Sequence, residues 1–189
     1  MKTTLLALLA TTATLSSALP SPSPAADGLY IVTTDSSGAE TTTFTAHAEF
    51  LSLNNITSID DLTITARFPS DTPSPGPHAL SKRRDGCHTT VSISSSITDR
   101  ANTLLQQSFP SGNNVDLGGR QKRSYIHDGA KSFVCSYGAG WKPKTSIMGT
   151  WDWVKRTRCG KDKLGYGQVQ DGVGDWTAGY TFSNDKFCW

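Results

Sequence analysis

Beyond Glu49 the chain has no glutamate, and beyond Arg84 its only histidines are His88 and His127. The C-terminal portion therefore cannot supply the glutamic acid of a glycosidase-type site, although a pair of aspartates stays open. GxSxG, HExxH and paired histidines at metal-ligating spacing are all absent, which removes the sequence signals of the common hydrolases and metalloenzymes. None of the four cysteines stands in a CxxC, so neither a zinc site nor a redox centre is indicated. Asp171-Gly172-Val173-Gly174-Asp175 lacks the ligand order of a calcium loop and reads as a turn. No cofactor is expected. Long apolar runs are also missing: the longest, from Thr3 to Leu15, is too short to cross a bilayer.

That short run reads as a secretory signal. Lys2 gives a basic start, Leu5 to Ala10 an apolar centre, and Ser16-Ser17-Ala18 a small-residue cleavage site, with the cut expected after Ala18. The following Pro20-Ser21-Pro22-Ser23-Pro24 disfavours a continuing helix. Export places Cys87, Cys135, Cys159 and Cys188 in an oxidising compartment, where an even count reads as two disulfides. Of the three pairings, the expected one joins Cys87 to Cys188, tying the ends of the module, and Cys135 to Cys159. Each closure contributes about 3 to 5 kcal/mol in the chain-entropy picture.

Lys82-Arg83-Arg84 ends a stretch holding Pro69, Pro73, Pro75 and Pro77, an extended tether open to a protease. A basic triplet there is the kind of site that kexin-type proteases cut; the competing reading is a solvated charge cluster. Charge changes sign at this point. From Leu19 to Ser81 seven acids face one base, a net of −6; from Asp85 onward nine acids face thirteen bases, a net of +4. Three parts follow: a signal peptide (1–18), an acidic pro-segment with a Pro-rich linker (19–84) and a mature disulfide-stapled module (85–189). An acidic leader is suited to masking a basic module during folding and export. Asn55-Ile56-Thr57 is the one N-glycosylation sequon, so a glycan at Asn55 belongs to the leader.

Within the leader, Leu29 to Val32 and Thr41 to Thr45 flank Asp35-Ser36-Ser37-Gly38, a hairpin signature. In the module, Thr90 to Ser94 reads as a strand, and Ile97, Ala101, Leu104, Leu105 and Phe109 form one helical stripe, with Ser96 or Thr98 as N-cap and Pro110 as the stop. Ser124 to His127 and Ala130 to Tyr137 meet at Asp128-Gly129, a strong hairpin signal. Thr145 or Ser146 caps a helix carrying Ile147, Trp151 and Val154 on one face, with Gly160 closing it. Leu164 to Phe187 is interrupted by glycines and reads as one or two strands. The expected class is α+β, in the order β-α-β-β-α-β, with two helices on one face of an antiparallel sheet.

The strongest functional signal is a basic, Trp-bearing stretch. Trp141, Lys142 and Lys144 precede the second helix; Trp153, Lys155, Arg156 and Arg158 lie at its end, followed by Lys161 and Lys163. Such a surface attracts anionic lipid, polyanions or a cell-surface protein. The competing reading turns Trp151 inward and leaves the bases as a solvated face complementing the helix C-terminus. A different class, a small hydrolase and above all a ribonuclease acting on nucleic acid, would use His88, His127 and a lysine such as Lys131; the bland alternative makes these a terminal surface residue and a hairpin-end residue. Gln121-Lys122-Arg123 is a further basic patch that a folded strand should protect.

Taken together, a kexin-type leader beginning Gly28-Leu29-Tyr30-Ile31-Val32, a module carrying Ser132-Phe133-Val134-Cys135-Ser136-Tyr137-Gly138, a helix ending Cys159-Gly160 and a terminal Phe187-Cys188 resemble small secreted proteins of filamentous fungi. The element order is similar to the α/β sandwich of killer toxins of smut fungi, which recurs among fungal effectors. The resemblance implies a secreted, monomeric effector or toxin-like protein without enzymatic activity, directed at host or competitor cells. It carries over no catalytic residues.

Overall fold

The computed structural model describes residues 25–59, 62, 85–138, 140–171 and 174–188. The expected processing sites at Ala18 and at Lys82, Arg83 and Arg84, and the Pro-rich tether, lie outside the described residues. The fold is α+β, with three helices, a largely antiparallel main sheet and two disulfides. No helix among the described residues is long and apolar enough to cross a membrane.

Asp35 turns the chain between β1 (Gly28–Thr34) and β2 (Glu40–Ala46). Its Oδ1 accepts from the amides of Ser37 and Ala39 at 2.8 and 2.9 Å, the Asx arrangement that favours Asp at this position. A short helix, α1 (His47–Leu53), follows; periodicity over seven residues is too brief to have announced it. Asn55 is exposed just beyond it, with a positive φ of 55°.

The module opens on β3 (Asp85–Ser92) and α2 (Ser95–Gln107), in which Ala101, Leu104 and Leu105 are fully buried. The stripe is where the 3.6-residue period places it, but the helix starts before the expected caps Ser96 and Thr98. Ser94 is the cap residue, and Asp162 Oδ1 accepts from the Ser95 amide at 2.9 Å, placing a carboxylate where the helix dipole favours one. A three-residue β4 (Asn114–Asp116) leads to β5 (Gln121–His127) and β6 (Ala130–Ser136). Asp128 and Gly129 join these two strands with φ of 48° and 79°, the pair of positive values that a type I′ turn requires.

β7 (Trp141–Pro143) pairs with β4, and α3 (Lys144–Trp153) continues into a π-helical turn at Val154–Arg158. Ile147, Trp151 and Val154 are buried, as their spacing implies. This helix too begins ahead of its expected caps, directly after Pro143, a residue that cannot itself continue a helix backwards. Gly160, with φ of 101°, ends the segment. The glycine-rich terminal stretch makes two strands, β8 (Lys163–Asp171) and β9 (Gly174–Phe182). Asp171 pairs with Gly174 where the two strands meet, and residues 172 and 173 of the expected turn lie outside the described residues.

The main sheet runs β2-β1-β5-β6-β9-β8-β3. The β1–β2 hairpin is thus part of the same sheet as the strands that follow Asp85, with β1 paired to β5 from Gly28↔Ile126 to Thr33↔Gln121. All three helices lie on one face. Tyr125, Val134, Trp176, Ala178 and Tyr180 point to them, and these residues join Phe50, Leu104, Leu105, Ile147 and Trp151 in one core. The other face carries Lys131, Phe133, Cys135, Thr177 and Thr181, partners in register across β6 and β9. The C-terminal tail covers part of this face: Phe187 packs on Phe133 at 4.8 Å between ring centroids, and Lys131 Nζ donates to Asp185 O at 2.8 Å.

This division corrects the expected disulfides. The bridges are Cys87–Cys159 and Cys135–Cys188, with Cα separations of 5.5 and 6.2 Å, not Cys87 with Cys188 and Cys135 with Cys159. Cys135 faces the tail. Cys159 lies on the helix side, where a Cβ at Gly165 would meet its Sγ. The sheet separates the two, a distance no disulfide spans. Because β9 returns the chain beside β6, Cys188 reaches Cys135, while β3 on β8 brings Cys87 to Cys159.

Candidate functional site

The basic stretch is dispersed by the fold. Trp141 is half-exposed, but Lys142 beside it is fully buried, because pairing with Val115 in the β4–β7 ribbon turns its side chain inward. Lys142 therefore does not belong to an exposed strip. Lys144 Nζ donates to Pro110 O in the loop following α2. Trp153 is half-buried over Gly167. Lys155 Nζ donates to both oxygens of Asp99 at 2.5 Å, Arg156 Nε approaches Asp152 at 2.5 Å, and Arg158 Nε is paired with Asp85. Three of the cations thus each face a carboxylate, which cancels much of their field. The Arg156–Asp152 pair is exposed, and pairs of this kind contribute only about 0 to 1 kcal/mol. Arg156, whose side chain is 72% exposed, is the most accessible of the set. Between α2 and α3 a cleft of about 120 Å³ holds Asp99, Asp152, Lys155 and Arg156 together.

His88 and His127 do not meet. Although the His88 ring reaches over to β9, the two rings lie on opposite faces of the sheet. His88 Nε2 sits 3.4 Å from Thr181 Oγ1 and 3.7 Å from Asp185 on the tail side. His127 is buried on the helix side, its ring stacked at 5.3 Å on His47 of α1. Lys131 shares the tail face with His88, where burial lowers its pKa and Asp185 opposes that shift. The fold offers no constellation in which both histidines serve one phosphodiester.

His127 has its own surroundings. Its Nδ1 lies 3.7 Å from Asp27 and its Nε2 3.4 Å from Asp128. Burial lowers its pKa below 6.5; Asp128 and Asp27 counter this, and His47 and Arg100 add to it. One ligand atom from each of Asp27, His127 and Asp128 falls within 4.8 Å of the others, the donor types of a cation site. One oxygen of Asp27 is already held by the Asp128 amide at 3.0 Å.

A concavity on the tail face was not anticipated from sequence. It encloses about 500 Å³ and is lined by Tyr137, Tyr166, Gln168, Thr177, Lys186 and Phe187, among others. Gly179 stands opposite Tyr166, one of the lining residues, and a Cβ there would lie 2.6 Å from the Tyr166 Cβ. The signal existed in the alternation of Trp176-Thr177-Ala178-Gly179-Tyr180-Thr181, whose apolar set is core and whose small polar set faces out. Reading it required knowing that β9 is central in the sheet.

No family model, no curated protein and no solved structure matches this chain.

Proposed function

We propose that this is a secreted, non-enzymatic effector or toxin-like protein of a filamentous fungus. In this reading the precursor is cut after Ala18 and after Arg84, and the module from Asp85 onward carries the surface that acts outside the cell on a host or competitor cell-surface component. The partner is anionic: a lipid, a polyanion or a protein, engaged by Arg156 with Lys155, Arg158, Lys144 and the exposed Trp141. The reading extends to kinship with the α/β sandwich of smut killer toxins.

The observation that weighs against the ribonuclease alternative is the placement of His88 and His127 on opposite faces of the sheet. General acid and base must both reach the same reacting group within hydrogen-bond range or through one water, and this separation prevents it. Disulfide closure and a new N-terminus held by the Arg158–Asp85 pair and Cys87–Cys159 suit a module that persists outside the cell. The test is the protein cut after Arg84, assayed on RNA and on anionic vesicles. The expected result is no RNA degradation, and vesicle binding that falls steeply with salt. RNA degradation abolished by His127→Ala would replace this reading with the ribonuclease.

A further inference from the structure

The leader does not sit apart from the module that a cut after Arg84 would release. It supplies two strands and a helix to the module's fold. β1 pairs with β5 through six residues, and the Thr34 amide extends the ladder to Arg120 O at 3.2 Å. Phe50 of α1 is 2% exposed and packs edge-on against the fully buried Tyr125, with ring centroids 4.9 Å apart. Tyr125 OH and His47 Nδ1 are 2.7 Å apart, the Asp128 amide donates to Asp27 at 3.0 Å, and Lys122 Nζ donates to Glu40 at 2.8 Å. Leu29, Leu51 and Ile56 pack against the same core.

The cut itself severs none of this. β1 and β2 form one edge of the sheet and β3, which begins at Asp85, forms the other. Both disulfides lie within the module, so neither ties the leader to it. Were the leader to leave, β5 would become a bare sheet edge and Tyr125 would face water, a state that folded proteins avoid.

We propose that the cleaved leader stays bound, so that the processed protein is a two-chain assembly in which residues 25–59 are a non-covalent subunit completing the sheet at β5. The partner that fits this edge is the largely apolar β1, backed by the Thr-rich β2 and the short helix that carries His47 and Phe50. Recognition is by strand addition: backbone pairing supplies affinity, and the Phe50 and His47 contacts on Tyr125 fix the register.

The inference rests on the processing proposed above, and its test separates the two. The full secreted chain is treated with a kexin-type protease, and the products are followed by size-exclusion chromatography and mass spectrometry without denaturant. The expected result is co-elution of the leader fragment with the disulfide-bonded module through repeated dilution, and separation in denaturant. Phe50→Ala, which removes a buried ring, should weaken retention at least about 100-fold. A cut module that elutes folded and without its leader overturns the inference. An intact chain would instead refute the processing step, and docking is then read after replacing Lys82-Arg83-Arg84 with the site of another sequence-specific protease. The same two outcomes, co-elution or loss, decide it there.

Discussion

Replacing Cys135 and Cys188 together by alanine removes a closure across a sequence separation of 53 residues. Chain-entropy reasoning puts its contribution at about 4 kcal/mol. That is a large share of the ~5 to 15 kcal/mol by which domains are stable, and it corresponds to a fall in Tm of roughly 10 to 20 °C. The same change frees the tail that seats Phe187 on Phe133 and Asp185 on Lys131, so the wall of the tail-face groove loosens with it. Urea unfolding followed by tryptophan fluorescence reads the loss, since Trp176 is buried on β9. A loss under about 1 kcal/mol would refute the reasoning. The pairing has its own control. With Cys87 and Cys159 replaced, the remaining cysteines still pair and no thiol is free; with Cys87 and Cys188 replaced, Cys135 and Cys159 stand on opposite faces and both thiols titrate. A disulfide in that second variant would contradict the arrangement of faces.

Other outcomes follow from charge and burial. Burial lowers the His127 pKa in the docked state, so the docked form resists a proton that the free form accepts. Its contribution to leader docking is present above pH 6.5 and is lost as pH falls through the docked value. The groups around it are Asp27, His47, Asp128 and Arg100. Leader retention measured by size-exclusion chromatography across mildly acidic pH should decline, and retention that strengthens on acidification would contradict this sign. Asp99→Asn with Asp152→Asn releases Lys155 and Arg156 from their carboxylates, and should raise affinity for anionic vesicles while lowering stability by about 1 kcal/mol or less. Unchanged affinity would remove these cations from the binding surface. The buried Tyr125 and Tyr180 phenols have raised pKa values, chiefly through desolvation; in an alkaline spectrophotometric titration they should ionise only as the protein unfolds.

Local features were legible in the sequence. Asp128-Gly129 demands two positive φ values, so the β5–β6 hairpin follows from two adjacent residues; the apolar stripes of α2 and α3 follow from spacing alone. The leader hairpin was legible for the same reason, since its turn residues adjoin its strands. Its destination was not, because the partner of Tyr30 is Ser124, far along the chain, and a single sequence carries no register between distant strands. The disulfide pairing failed on similar grounds: it depends on which face each cysteine occupies and on which strand β9 lies beside, and neither follows from local pattern. The basic stretch was legible as composition but not as a surface. Burial of Lys142 and pairing of Lys155, Arg156 and Arg158 with Asp99, Asp152 and Asp85 are tertiary facts, and two of those aspartates lie on other elements.

Native mass spectrometry of the protein collected from a secreting host tests the central claim most directly. The account predicts one assembly that dissociates under denaturation into two polypeptides, one of them beginning at Asp85 and holding both disulfides. A single uncut polypeptide, or the Asp85 fragment alone, would contradict it.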